Sequence, residues 1–209
     1  YKRQIRDGKG NLNRIVERKD CNEDEERVKE VNIGVYCFNG KLLKESFSKL
    51  DDNNAQNEYY ITDIPVHIKN AGYNFGVCTI ADMSEFQGIN SREELSLATC
   101  TLLNKTRKLH MSNGVTLIDP SSTYISIDAK IGRDTIIYPG TNIQGETVIG
   151  ENCVIGPNSH IISSKIGNNV SVETSKITES TIADNCKIGP FAHIRPKCDI
   201  ANNCKVGSF

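Results

Sequence analysis

The sequence lacks an excess of charge of either sign: 25 Lys and Arg stand against 26 Asp and Glu, a net charge of −1. That argues against a binder of nucleic acid or of an anionic membrane, which would need a basic face. Long apolar runs are missing too. The longest are a few residues, against the roughly 18 that a membrane-spanning helix needs. No Cys-x-x-Cys pair occurs, and His67, His110, His160 and His193 are scattered without metal-ligand spacing. No Met and no signal-peptide pattern open the chain at Tyr1, and it closes on Gly207-Ser208-Phe209. It therefore reads as a piece of a longer protein. Its 209 residues allow one large domain or two small ones.

Aromatic residues are scarce beyond position 113: only Tyr124, Tyr138, Phe191 and Phe209 in 96 residues, of which 17 are Ile. The charge balance does not change there, so the seam is one of pattern. Before it, the reading is mixed α/β. The spacing predicts strands over 11–17, 31–38 and 74–80, the second buried and bounded by Asn39-Gly40. Helices are expected over 42–50 and over 59–71, the latter stopped by Gly72. The acidic run 22–26 reads as a solvated loop or helix start. Alternating strands and helices suggest part of an α/β sheet. Residues 93–113 are expected to form one long linker helix. Ser91 and Glu94 supply a capping box, Leu95, Ala98, Leu102 and Leu109 an apolar face, and Gly114 a stop.

After the seam, aliphatic residues recur every six positions at 125, 131, 137, 143, 149, 155 and 161. The step resumes from Ile166 to Val172 and again through Ile182, Ile188, Ile194, Ile200 and Val206, with five-residue steps at 161–166 and 172–177. Gly often follows the aliphatic residue, and a small residue often stands four positions after it. Such a period specifies a left-handed parallel β-helix of hexapeptide repeats. Each hexad makes one flat side with its aliphatic residue inward, three hexads close a coil, and coils stack at about 4.8 Å. Cys153, Cys186, Cys198 and Cys204 fill the small-residue slot, so they read as reduced core residues. Cys186 and Cys204 lie 18 apart, stacked on successive coils.

Five runs occur in order: Glu17-Arg18-Lys19-Asp20, Glu30-Val31-Asn32-Ile33-Gly34, the run 53–63 ending Tyr59-Tyr60-Ile61-Thr62-Asp63, Gln87-Gly88-Ile89-Asn90-Ser91-Arg92, and Ile188-Gly189-Pro190-Phe191-Ala192-His193-Ile194-Arg195-Pro196. Across essentially the whole chain this order resembles the bacterial bifunctional N-acetylglucosamine-1-phosphate uridyltransferase/glucosamine-1-phosphate N-acetyltransferase family. The resemblance implies that residues 1–92 are the C-terminal part of a Rossmann-like uridyltransferase (pyrophosphorylase) domain and that 114–209 open the acetyltransferase β-helix. It implies that Glu17, Asn32, Tyr60, Thr62 and Asn90 bind UDP-N-acetylglucosamine. It makes Asn90 a Mg²⁺ ligand and Arg195 a bidentate grip on the sugar phosphate of the acetyltransferase site. Each has a plainer reading. Glu17 could be a surface carboxylate, Asn32 a turn residue, Asn90 the residue before a helix cap, and Arg195 a solvated outward side chain.

The resemblance further implies UTP and acetyl-CoA as co-substrates, N-acetylglucosamine-1-phosphate and glucosamine-1-phosphate as substrates, a homotrimer and a cytoplasmic location. It implies no nucleic-acid partner and no membrane span. The family's phosphate loop and uridyltransferase catalytic residues would precede Tyr1, and its acetyltransferase His and Lys would follow Phe209. No catalytic residue is therefore assigned within the chain, which would perform neither reaction well alone. One departure stands out: Lys2 occupies the position of a family glycine. Two alternatives stay open, another sugar-1-phosphate nucleotidyltransferase with a β-helix tail and a non-catalytic regulatory subunit.

Overall fold

The computed structural model describes residues 2–80, 86 and 88–208, so Gln87 of the fourth run lies outside the described residues. The chain divides into two compact units, Tyr1–Gly88 and Ile89–Phe209.

In the first unit, β1 (Lys2–Arg6) and β2 (Leu12–Val16) form an antiparallel hairpin. The Asp7 carboxylate closes its turn by accepting from the amides of Lys9 and Asn11. Strand β3 (Val31–Asn32) pairs with the other edge of β1, so the order is β2-β1-β3. Leu12, Ile15 and Val16 of β2 are buried. Helix α1 (Glu23–Glu26) carries a capping box from Asn22, and α2 (Gly40–Phe47) is capped by the Asn39 side chain. Helix α3 (Ile64–Asn70) buries Ile64, Pro65 and Ile68 and is followed by Gly72 in the left-handed region.

Two expectations need correction. The strand expected over 31–38 lasts two residues, because Gly34 at φ 79° turns the chain out of extended geometry. Val35 beyond it is 71% exposed. Residues 74–80 form no strand. The described pairings in this unit are all antiparallel, so a Rossmann-like parallel sheet is not observed among them.

In the second unit, α4 (Arg92–Ser112) begins on the expected Ser91–Glu94 capping box. Its buried face is polar, however: Thr106, Arg107 and His110, while Leu95, Leu102 and Leu109 are exposed. The reason is the neighbouring turn, which offers bare carbonyls. Arg107 Nε donates to Thr123 O at 2.8 Å and its Nη2 to Ser121 O at 3.5 Å. A leucine there would leave acceptors unpaired, at roughly 1–3 kcal/mol each.

Burial pushes the His110 imidazole below its ordinary pKa. The folded state therefore favours neutral His110, and the unfolded chain takes up the proton first. As pH falls below about 6.5, stability should fall until the depressed folded pKa is passed. Urea midpoints at pH 7.5 and 5.5 should diverge more for the native chain than for His110→Gln. Equal divergence would remove His110 as the cause.

The rest of the unit is a parallel β-solenoid of three sheets. One stacks Leu117, Ile137, Ile155, Val172, Ile188 and Val206 in register. A second stacks Ile125, Ile143, Ile161, Ile177 and Ile194, and a third Ile131, Ile149, Ile166, Ile182 and Ile200. These rails form one continuous core. The period fits a left-handed β-helix. A third five-residue step, from Ile177 to Ile182, joins the two expected. At all three short corners a non-glycine residue turns left-handed, Ser163, Thr174 and Glu179. The serine that follows each donates to the carbonyl two residues back, at 2.7, 2.6 and 2.8 Å.

The small-residue slot also links coils. Thr135 Oγ1 accepts from the Cys153 amide one coil on, and Ser159 and Ser175 repeat the contact. Cys153 and Cys186 are buried free thiols whose Sγ atoms donate to Gly167 O and Ala201 O. Cys198, expected in the core, is exposed, and Cys186 and Cys204 are both free.

Candidate functional site

The first candidate site grows from β1, the central strand of its sheet. Directly opposed residues of antiparallel strands put their side chains on one face. The register places Lys2 opposite Asn32 on β3, and Arg3 opposite Val16 on β2 sets Lys2 beside Glu17. Lys2 Nζ pairs with Glu17 Oε1 at 2.5 Å. Asn32 Nδ2 donates to Tyr36 Oη at 2.6 Å. Burial pushes the Tyr36 phenol up, Asn32 and Lys2 oppose that, and Glu17 adds to it. Lys2, Glu17, Asn32 and Tyr36 thus share one neighbourhood.

Tyr60 joins this group through the field of Glu17. It is buried and accepts from Gln56 Nε2 at 3.0 Å. Burial raises its pKa, and Asp20 and Glu17 press in the same direction. Residues 53–60 form a loop folded on Asn54, whose side-chain oxygen accepts from the Gln56 and Glu58 amides, and Ile61–Asp63 form a short 3-10 helix. The Ala55 amide ties that loop to Asp20 at 2.9 Å. Asp63 is raised by burial, then by Asp51, Asp20 and Glu17, against the lowering field of His67. Thr62 is fully buried, and among the described residues its Oγ1 has no hydrogen-bond partner.

The structure therefore gathers Glu17, Asn32 and Tyr60, with Thr62 two residues from Tyr60. A cavity of about 760 Å³ opens beside them, lined by Asn32, Tyr36, Leu12, Ile15 and Phe38 among others; Glu17, Tyr60 and Thr62 are not in its walls. Sequence reasoning missed Tyr36 and Gln56 as partners. The Asn32–Tyr36 spacing was visible, but only the turn at Gly34 brings the phenol back over the amide.

Asn90 lies in the second unit and is exposed, its amide donating to Glu94 Oε2 at 2.6 Å. It sits one residue before the cap Ser91, as its plainer reading has it. Arg195 is exposed on the solenoid, beyond inward Ile194, and its carbonyl accepts from Ser180 Oγ at 2.7 Å. The residues on the outer side of the same sheet stack His160, Lys176 and His193.

The bacterial transferase hexapeptide family (six repeats) matches residues 128–163 and 179–209. The whole chain is 47% identical to a bifunctional protein GlmU of Clostridioides difficile and 50% to one of Clostridium kluyveri, covering 46% of each relative. A third, from Enterococcus faecalis, is 46% identical over the same 209 residues and 46% of its own length. The chain thus spans about half the length of the curated relatives it matches. Residues 128–163 and 179–209 of the solenoid match bacterial transferase hexapeptide repeats, and over all 209 residues the chain is similar to part of the bifunctional GlmU proteins.

Proposed function

We propose that the chain serves a two-step synthesis of UDP-N-acetylglucosamine. Acetyl passes from acetyl-CoA to glucosamine-1-phosphate on the solenoid side. The product's phosphate oxygen then attacks the α-phosphorus of UTP on the α/β side, read as Rossmann-like, and pyrophosphate leaves. The observation that carries this reading is the joint one: similarity over the whole chain to about half of GlmU, and Glu17 and Asn32 flanking one strand on one face.

Each residue then has a chemical task. Glu17 accepts from sugar hydroxyls, as an ionised carboxylate has acceptors only. Asn32, whose amide nitrogen is engaged with Tyr36, keeps its carbonyl oxygen for an N-acetyl N–H. Thr62, two residues from Tyr60, has a buried hydroxyl unpaired among the described residues, and the family resemblance assigns both to the sugar-binding set. Arg195 forks onto the phosphate of glucosamine-1-phosphate.

Asn90 suits Mg²⁺ as a single hard oxygen donor, its side chain unengaged among the described residues. Among the described residues no group of three or more His, Cys, Asp or Glu could hold a metal, and the family resemblance places its first Mg²⁺-binding aspartate upstream of Tyr1. When bound, the ion neutralises charge on the phosphates.

We read the assembly as a homotrimer, supported by exposed Ile118, Tyr138 and Val154 on one sheet of the solenoid. The eight free thiols suit the reducing cytoplasm. Among the described residues no helix is long and apolar enough to cross a membrane.

Titration of the chain with UDP-N-acetylglucosamine, followed by amide chemical shifts, tests the reading. Shifts should centre on Glu17, Asn32 and Tyr60, and Glu17→Gln should weaken binding at least about tenfold, the scale of a hydrogen bond to a charged group. Equal affinity for UDP-glucose would favour another sugar-1-phosphate nucleotidyltransferase. No binding of either would favour the regulatory subunit.

A further inference from the structure

Lys2 is the feature of this site that the proposed function leaves unused. It stands on the central strand with Glu17 on one side and Asn32 on the other. Its ammonium meets the Glu17 carboxylate at 2.5 Å, the side chains being 35% and 16% exposed. Several carboxylates stand nearby. Asp20, Asp51 and Glu17 all act on Asp63, and Asp20 and Glu17 both act on Tyr60. Lys2 is the cation in contact with Glu17, while Arg3 of the same strand acts with Asp20 on Cys21.

A sugar phosphate approaching Glu17 would meet uncompensated negative charge unless a cation stood there. Lysine is a compact point charge on a flexible stem, able to keep one carboxylate and turn a second donor to an anion. From this placement we propose that Lys2 is a specificity-determining residue: it neutralises Glu17 so that the carboxylate can accept sugar hydroxyls, and it favours the phosphorylated over the unphosphorylated sugar. This rests on the reading of Glu17 and Asn32 as sugar-binding residues.

The test compares N-acetylglucosamine-1-phosphate with N-acetylglucosamine on the full chain, by amide shifts and at two ionic strengths. Lys2→Met should weaken the phosphate-bearing sugar about fivefold, the scale of a partly exposed ion pair, and reduce its salt dependence. The neutral sugar should change by less than about twofold by the same reasoning, and Lys2→Arg should restore most of the selectivity. A merely structural lysine would lower both affinities together, and that result overturns the proposal. Tighter phosphate binding by Lys2→Met or Lys2→Gly overturns it as well, since Lys2 would then be blocking Glu17. If the native chain binds neither sugar, the sugar-site reading fails and this inference with it. If the native chain binds both and Lys2→Met is indistinguishable, only the inference about Lys2 fails.

Discussion

Replacing Ile155 with alanine is expected to lower the unfolding free energy of the solenoid unit by about 3–5 kcal/mol, the upper half of the range for buried aliphatic truncations. Ile155 has no exposed surface and stands in a rail between Ile137 and Val172. The cost depends on how far a site can collapse, and here collapse is opposed on both sides. The Tyr138 amide holds Ile155 O at 2.8 Å from one coil, while the Val154 and Gly156 amides hold the next coil at 3.0 and 2.8 Å. The rails cannot slide inward without breaking that ladder, so most of the missing volume stays empty. Each coil contacts only its neighbours, so a weakened coil also interrupts coupling along the stack. Denaturant unfolding followed by circular dichroism measures the loss. The internal control is the adjacent Val154→Ala: Val154 faces outward and is 39% exposed. It should cost less than about 1 kcal/mol, having little buried volume to lose. Equal losses at 154 and 155 would contradict the inward–outward assignment on which the fold rests.

That assignment was readable in the sequence because a solenoid repeats one local decision many times. An aliphatic residue every sixth position has a single consistent place to go, and the rails from Ile125 to Ile200 go there. The step from Ile177 to Ile182 escaped because the hexads resume at once after it. Its compensating feature, Glu179 turning left-handed with Ser180 bracing the corner, is not a glycine and gives no composition signal. The helix α4 shows the opposite failure. Leu95, Leu102 and Leu109 form a regular stripe, yet Arg107 wins the buried face because Thr123 and Ser121 present carbonyls there. Those acceptors are a property of the turn, not of the helix. At the candidate sugar site the motifs named Glu17, Asn32 and Tyr60, but not their mutual placement. That depends on β1 running between β2 and β3, and strand order is not encoded in any one run of residues.

Replacing Gly150 with alanine should cost about 2–4 kcal/mol, combining overpacking with the loss of an inter-coil hydrogen bond. Gly150 is not in the left-handed region, so backbone freedom is not the reason. Space is. A Cβ there would lie 2.6 Å from Gly167 O and 2.5 Å from Asn168 Oδ1. The first is backbone of the next coil and cannot turn aside. The second already accepts from the Glu151 amide at 2.8 Å, the lowest rung of a ladder. Asp184 accepts from the Asn168 amide at 2.7 Å, and Asn202 from the Asp184 amide at 2.9 Å, continuing it upward. Moving Asn168 aside to make room would therefore release the Glu151 amide. Gly132, one coil below, is as tightly placed, 2.6 Å from Gly150 C and O. Gly207→Ala is the matched control, since nothing lies within 4 Å of its Cβ position. Its effect should stay within about 0.5 kcal/mol. Thermal and denaturant unfolding of Gly150→Ala, Gly132→Ala and Gly207→Ala would separate close packing from backbone entropy. If glycine acted here only by loosening the unfolded chain, all three alanines would stabilise the protein alike.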